Sequence, residues 1–215
     1  MKRFFAAACA ASMALSCDPW PEWNDDDDGG SGSGFGRWTV KTGHDDDVRT
    51  VESIPRTATI AALRAIAPPS NLSGDTKRFT HPGSPEMETY RLTNVTLAGF
   101  KLESDGDYHL VLQDGGGKSL IAEIVDPRRV ADIWKPQTTQ ARDAFDARHA
   151  ASGNFQTARE TVTVTGVGFF DLLHGQLGAA LSGIELHPVL DICFGPDCAT
   201  EGPIPRNLRG AAPPP

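Results

Sequence analysis

Three histidines stand beside carboxylates or amides in this chain. His109 lies in Asp107-Tyr108-His109-Leu110, His174 in His174-Gly175-Gln176, and His187 in Glu185-Leu186-His187-Pro188. Imidazole nitrogen together with carboxylate oxygen makes a ligand set for zinc or another divalent ion. An ion held in that way can activate water to cleave a phosphodiester or similar bond. His109, His174, Glu185 and His187 are the candidate ligands, with Asp107 as a further donor. The same groups have a structural use, because a histidine in a small β domain hydrogen-bonds a backbone carbonyl or a neighbouring carboxylate. No two of these histidines show His-x-His or His-x-x-x-His spacing, which favours the structural use.

Other catalytic templates fail. Gly115-Gly116-Gly117-Lys118-Ser119 ends like a phosphate loop, but strand residues follow where a helix is required, so a hairpin turn is expected. There is no Gly-x-Ser-x-Gly elbow, and the spaced arginine and carboxylate motifs of staphylococcal-type nucleases are missing. Cys193 and Cys198 frame Cys-Phe-Gly-Pro-Asp-Cys, too few thiolates for a metal site and not the Cys-x-x-Cys of a redox centre. A disulfide is the expected use of the pair.

Alternating apolar residues place the histidines on strands. Thr89 to Leu102, Asp107 to Gln113 and Ser119 to Val125 read as a three-stranded meander, with a turn at Asp114-Gly115-Gly116-Gly117. Thr138 to Ala150 repeats Ala141, Ala144, Phe145 and Arg148 at helical spacing. Thr161 to Phe170 and Ile184 to Ile192 resume β character. Three strands, a helix and two strands is the order of an OB-fold barrel, so the expected class is mainly β: a five-stranded OB-like barrel over 87–193 with one helix between its third and fourth strands. On the last strand Ile184, Leu186, Leu190 and Ile192 share one face, and Glu185, His187, Val189 and Asp191 the other.

Upstream the composition changes. Lys2-Arg3, the 12-residue apolar run Phe4 to Leu15 and the small residues Ala14-Leu15-Ser16 read as an export signal over 1–16. Twelve helical residues rise about 18 Å, short of a hydrocarbon core of about 30 Å. Cys17 follows where a bacterial lipoprotein is cut and acylated, so a lipid anchor at Cys17 and plain secretion both stay open. Residues 17–56, with the Asp25–Asp28 run, a Gly/Ser-rich stretch and Asp45-Asp46-Asp47, read as a solvated acidic tether without the spaced ligands of a calcium loop. Thr57 to Ala67 reads as one short docked helix ended by Pro68-Pro69, and 194–215 as a Pro-rich tail carrying the disulfide loop.

Charge narrows the partners. The 215 residues hold 20 Lys+Arg and 28 Asp+Glu, and residues 87–193 alone hold 9 basic and 14 acidic side chains. Nucleic acid is a poor partner for such a domain. A glycan, a peptide or another envelope protein fits better, with Arg91, Lys101 and Tyr108 as candidate binding residues and the membrane reached only through a lipid on Cys17.

The segments Ser104-Asp105-Gly106-Asp107-Tyr108-His109-Leu110-Val111-Leu112, Ile121-Ala122-Glu123-Ile124, Phe169-Phe170-Asp171, His174-Gly175-Gln176 and Glu185-Leu186-His187-Pro188-Val189-Leu190 carry a resemblance. Over about Val40 to Ile192 the chain resembles a family of small exported bacterial proteins of unassigned function. Ala180-Leu181-Ser182 departs from the family's usual Ala-Pro-Asn. The resemblance implies an exported domain and brings no activity. The expectation is therefore an exported, OB-like binding or interaction module of the cell envelope (periplasmic, envelope-attached or extracellular) without a cofactor. A zinc-dependent or other metal-dependent hydrolase using His109, His174 and His187 is the alternative.

Overall fold

Long strands form where β-branched and aromatic residues alternate with small or polar ones, and five such segments build most of the molecule. The computed structural model describes residues 36–198. The stretch read as an export signal, Cys17, the four-Asp run and the Pro-rich end lie outside those residues. The main strands are β2 (Thr89–Leu102), β3 (Tyr108–Gln113), β4 (Ser119–Ile124), β5 (Gln156–Phe170) and β6 (Ile184–Phe194), preceded by a three-residue β1 (Arg56–Ala58). They form one mixed sheet in the order β1-β2-β3-β4-β6-β5, and a further pairing of β2 with β5 closes the five long strands on themselves. Contacts between β4 and β6, and between β1 and β2, are parallel; the others are antiparallel.

One face of the closed sheet carries the main core. Leu92, Leu97, Leu110, Leu112, Leu120, Ala122, Ile124, Val164 and Leu186 are all at zero exposure there. Helix α3 (Lys135–Asp146), between β4 and β5, adds Ala141 and Phe145, whose ring lies 5.1 Å edge-on to Phe100 and 5.0 Å from Tyr108. It begins three residues before the predicted Thr138, because Pro136 is tolerated in a first helical turn, and ends at Asp146. On β6 the face pattern breaks. Val189 joins Ile184, Leu186 and Ile192 in the main core, and Leu190 turns to a second cluster with Val48, Val51, Val125, Ile133, Trp134 and Val167. The register with β5 shifts around Gly166, so strict alternation cannot hold across His187-Pro188-Val189. Gly168 is required nearby, since a Cβ there would lie 2.4 Å from the Pro85 carbonyl oxygen.

The segment before β2 differs most from expectation. Of the residues read as tether, 36–56 belong to the fold: α1 (Trp38–Thr42) buries Val40 and Thr42, and Val48 and Val51 enter the second cluster. The predicted helix Thr57–Ala67 shortens to α2 (Ile60–Arg64), because Arg56–Ala58 pair with Tyr90–Leu92 and Thr59, not Thr57, caps the helix by accepting from the Ala62 amide. Asp45 is no solvated spacer residue, since Arg78 holds it at 2.7 and 2.9 Å.

Arg37 fastens this segment. Its guanidinium donates to both Glu86 carboxylate oxygens and to the backbone carbonyls of Thr76, Lys77 and Phe170. Glu86 in turn accepts from the Phe79 and Phe170 amides, and both side chains are at zero exposure. Arg37→Met leaves a buried carboxylate without its cation and should cost about 3 to 5 kcal/mol of stability in urea unfolding. A cost below about 1 kcal/mol would show that the segment is not integral to the fold.

Candidate functional site

The second face of the sheet carries a row of ionisable side chains where apolar ones would ordinarily be buried. Lys101 on β2 is the register partner of His109 on β3, and His109 that of Glu123 on β4. Ala122 faces Leu186 across the parallel β4–β6 contact, which brings Glu123 beside Glu185 and His187. Because side chains alternate, the same strands that send Tyr108, Leu110, Ala122 and Leu186 into the core send His109, Glu123, Glu185 and His187 to this face.

Covering segments then exclude water. The β5–β6 loop lies over β3, with the Leu177 carbonyl 2.9 Å from His109 Nε2 and Gly178 so close to Val111 that a Cβ there would sit 2.9 Å from Val111 Cγ1. From α1, Lys41 reaches Asp171 at 3.2 Å. His109, Glu185 and His187 are 1 to 2% exposed as a result.

The hydrogen bonds define protonation. His187 Nδ1 is 3.0 Å from Glu123 Oε2 and 3.1 Å from Glu185 Oε1, so it carries a proton between two carboxylates. His109 donates from Nε2 to the Leu177 carbonyl, while Nδ1 lies 3.3 Å from Glu123 and 3.4 Å from Glu103. With acceptors at both nitrogens it is an imidazolium. Burial would lower both histidine pKa values, but the adjacent Glu123 carboxylate overrides it, raising His109 and pushing His187 up to about 10. Burial opposes ionisation of Glu123 as well, yet Lys41, His187 and His109 hold it well below the usual carboxylate range. Asp107 and Glu185 go the other way. Burial and neighbouring carboxylates push each up to about 7, while His187 opposes the rise in both. Lys41 is desolvated too, but Glu123, Asp171 and Glu185 keep it ionised above its ordinary range.

Of the six buried side-chain atoms among the described residues that have no hydrogen-bond partner, two belong to this row. Asp107 Oδ2 and His187 Nε2 are both buried and face each other at 3.8 Å. Among the described residues two groups could hold a metal by proximity, Glu103 with His109 and Glu123, and Asp107 with Glu123 and His187.

The expected site residues therefore separate. His109, Glu185 and His187 come together, with Asp107 beside them. His174 does not belong to either group; it is exposed on the β5–β6 loop, its amide bonded to Gln176 Oε1. Arg91, Lys101 and Tyr108 form no common binding face. Arg91 bonds Thr165 on β5, Tyr108 packs in the main core with its hydroxyl donating to Asp146 at 2.8 Å, and Lys101 pairs with Glu103 at 3.2 Å. Cys193 and Cys198 are joined as a disulfide, with Cα atoms 5.8 Å apart. Lys41, Glu103, Glu123 and Asp171 are members that residue-type reasoning missed. A signal existed for Glu123, a lone charge inside the apolar run Leu120 to Val125.

Neither a protein-family model nor a curated protein matches the chain. Among solved structures, a crystal structure from Leishmania major Friedlin described as an aspartyl-tRNA synthetase is similar over 73% of this chain at 14% identity with a TM-score of 0.37. This chain spans 22% of that chain's length. Among the described residues no helix is long and apolar enough to cross a membrane.

The buried charges set a pH profile for the metal-free protein. Asp107 and Glu185 have folded pKa values above their ordinary 3.8 and 4.5, so the stability they lend is lost as pH rises towards about 7. His187, raised from 6.5 to about 10, contributes fully below 6.5 and loses its contribution as pH rises through 10. Glu123, depressed, contributes above 4.5 and loses its contribution at lower pH. Unfolding free energy in the presence of chelator should therefore fall steadily from about pH 6 to pH 10, and Glu123→Gln should flatten the alkaline part of that fall. A wild-type profile rising over the same range contradicts the assignment.

Proposed function

We propose that the chain is an exported or lipid-anchored interaction module of the cell envelope, built on an OB-like barrel. The strand order β2-β3-β4-β6-β5 with β5 returning to β2, and α3 between β4 and β5, is the order of such a barrel and supports this assignment. Export is supported by the N-terminal residue pattern and by a disulfide, which persists in oxidising compartments.

One observation carries the interaction role. The β5–β6 loop, which in OB-like barrels borders the ligand face, exposes Leu173 at 54% and Leu181 at 88% on a backbone that is tied down. Gln176 bonds Asp171 and the Leu172 carbonyl, Leu177 bonds His109, and the Asp171 amide bonds the Gly183 carbonyl. Large apolar side chains presented on a fixed loop suit a polypeptide partner, whose contact buries them without ordering entropy in this chain. Hydrolysis is less well supported, since its nucleophilic water would have to reach histidines 1% exposed. An acidic balance disfavours nucleic acid.

A photo-crosslinking residue placed at 181 or at 173 in the exporting cell should yield an adduct with one discrete envelope component, and the same residue at exposed position 128 should not. Identical adducts from all three positions, or none, would end the proposal for this loop. Intact mass of the mature protein reads the anchor: loss of residues 1–16 with a diacylglycerol added at Cys17 is expected for the lipid-anchored form.

A further inference from the structure

We infer that Asp107 and His187 are the anchoring ligands of a divalent transition-metal site sealed beneath α1 and the β5–β6 loop. The two candidate ligand groups are not equivalent. In the first, His109 is fully engaged: Nε2 donates to the Leu177 carbonyl and Nδ1 faces Glu103 and Glu123, leaving no lone pair for an ion. In the second, His187 engages only Nδ1, and its Nε2 points at Asp107 Oδ2 with neither atom hydrogen-bonded, so an ion there displaces only the Nε2 proton and breaks no hydrogen bond.

Buried polar atoms are nearly always paired, so two orphans facing one another mark a gap of definite chemistry. At 3.8 Å they are too far apart to bond each other. Ligand bonds of about 2.1 Å to a common ion would bridge that gap at an angle of about 130°. Asp107 is well placed for this duty. Its Oδ1 is fixed by the Asp126 amide at 2.7 Å, leaving Oδ2 as its open acceptor. One donor atom each from Asp107, Glu123 and His187 lies within 4.8 Å of the others, with Glu123 on the Nδ1 side of the His187 ring. Glu185, with Glu123, also holds the His187 Nδ1 proton, the carboxylate-to-imidazole arrangement that fixes the tautomer and orientation of a metal-bound histidine.

Imidazole nitrogen with carboxylate oxygen suits Zn2+ or Mn2+ rather than a soft ion. Five carboxylates, those of Glu103, Asp107, Glu123, Asp171 and Glu185, gather around the two histidines, with Lys41 held at Asp171 and Lys101 at Glu103.

The test uses the untagged full chain, equilibrated with Zn2+ or Mn2+, dialysed and assayed by elemental analysis. About one ion per chain is expected in the parent and in His109→Gln. Asp107→Asn, which keeps the Oδ1 acceptor for Asp126, should lose it, as should His187→Gln. If His187→Gln does not fold, Asp107→Asn and the parent decide the matter: added Zn2+ should raise the melting temperature of the parent, chelator should reverse the rise, and Asp107→Asn should respond to neither. Absence of bound ion in the parent, retention in Asp107→Asn, or loss in a folded His109→Gln overturns the assignment.

Discussion

A guanidinium whose every N–H meets an acceptor within the fold can be held in one position only, and Arg37 is such a group. Its five donors end on Glu86, Thr76, Lys77 and Phe170, which belong to the segment leading into β2 and to the end of β5. A buried ion pair contributes little net energy, because desolvation offsets most of the attraction. Its value here is geometric. Arg37 stands immediately before α1, and Lys41 follows four residues later on the same side of that helix. The Phe169 ring links the two, with the Arg37 guanidinium 4.8 Å and the Lys41 ammonium 5.7 Å from its centroid and the His187 ring 5.6 Å away on β5's neighbour. Placing Arg37 therefore places Lys41 over Asp171 and lays α1 across the polar row.

That cover changes the chemistry of what lies beneath. Exposed histidines and carboxylates on a strand would titrate near their ordinary values and contribute little. Under α1 and the β5–β6 loop they interact strongly enough to divide into a depressed carboxylate, Glu123, two raised ones, Asp107 and Glu185, and two raised histidines. Glu123 is central because it touches both histidines from a strand lying between theirs. The Arg78 guanidinium repeats the Arg37 device on a smaller scale, joining Asp45, the Val40 carbonyl and the Glu86 carbonyl, so the acidic residues after α1 are built into the same cover.

Much of this was legible from local pattern. Period-two alternation located the five long strands, and the helical repeat through Ala141 and Phe145 located α3, because both depend on which neighbours along the chain face the same way. Alternation also put His109 with Asp107, and His187 with Glu185, on single faces. It could not say that β4 lies between β3 and β6, so Glu123, a lone charge in an apolar run, could not be recognised as the residue joining the two histidines. His174 was overestimated for the complementary reason: a histidine beside a glutamine in a loop carries no information about which way the loop folds.

What the sequence by itself determined is the set of local choices: strand, turn and helix positions, a disulfide between Cys193 and Cys198, and two amphipathic strands with ionisable groups opposite their apolar ones. Each follows from residue types within a few positions of one another. Tertiary structure alone decided that residues 36–56 fold rather than trail, that Arg91, Lys101 and Tyr108 part company, and that five carboxylates share one buried volume with two histidines and a lysine. Those outcomes rest on contacts between residues up to 133 positions apart, such as Arg37 with Phe170, and on the exclusion of water that such contacts bring about together. Pairing at that range depends on how the whole sheet closes, which is why no window of sequence contains it.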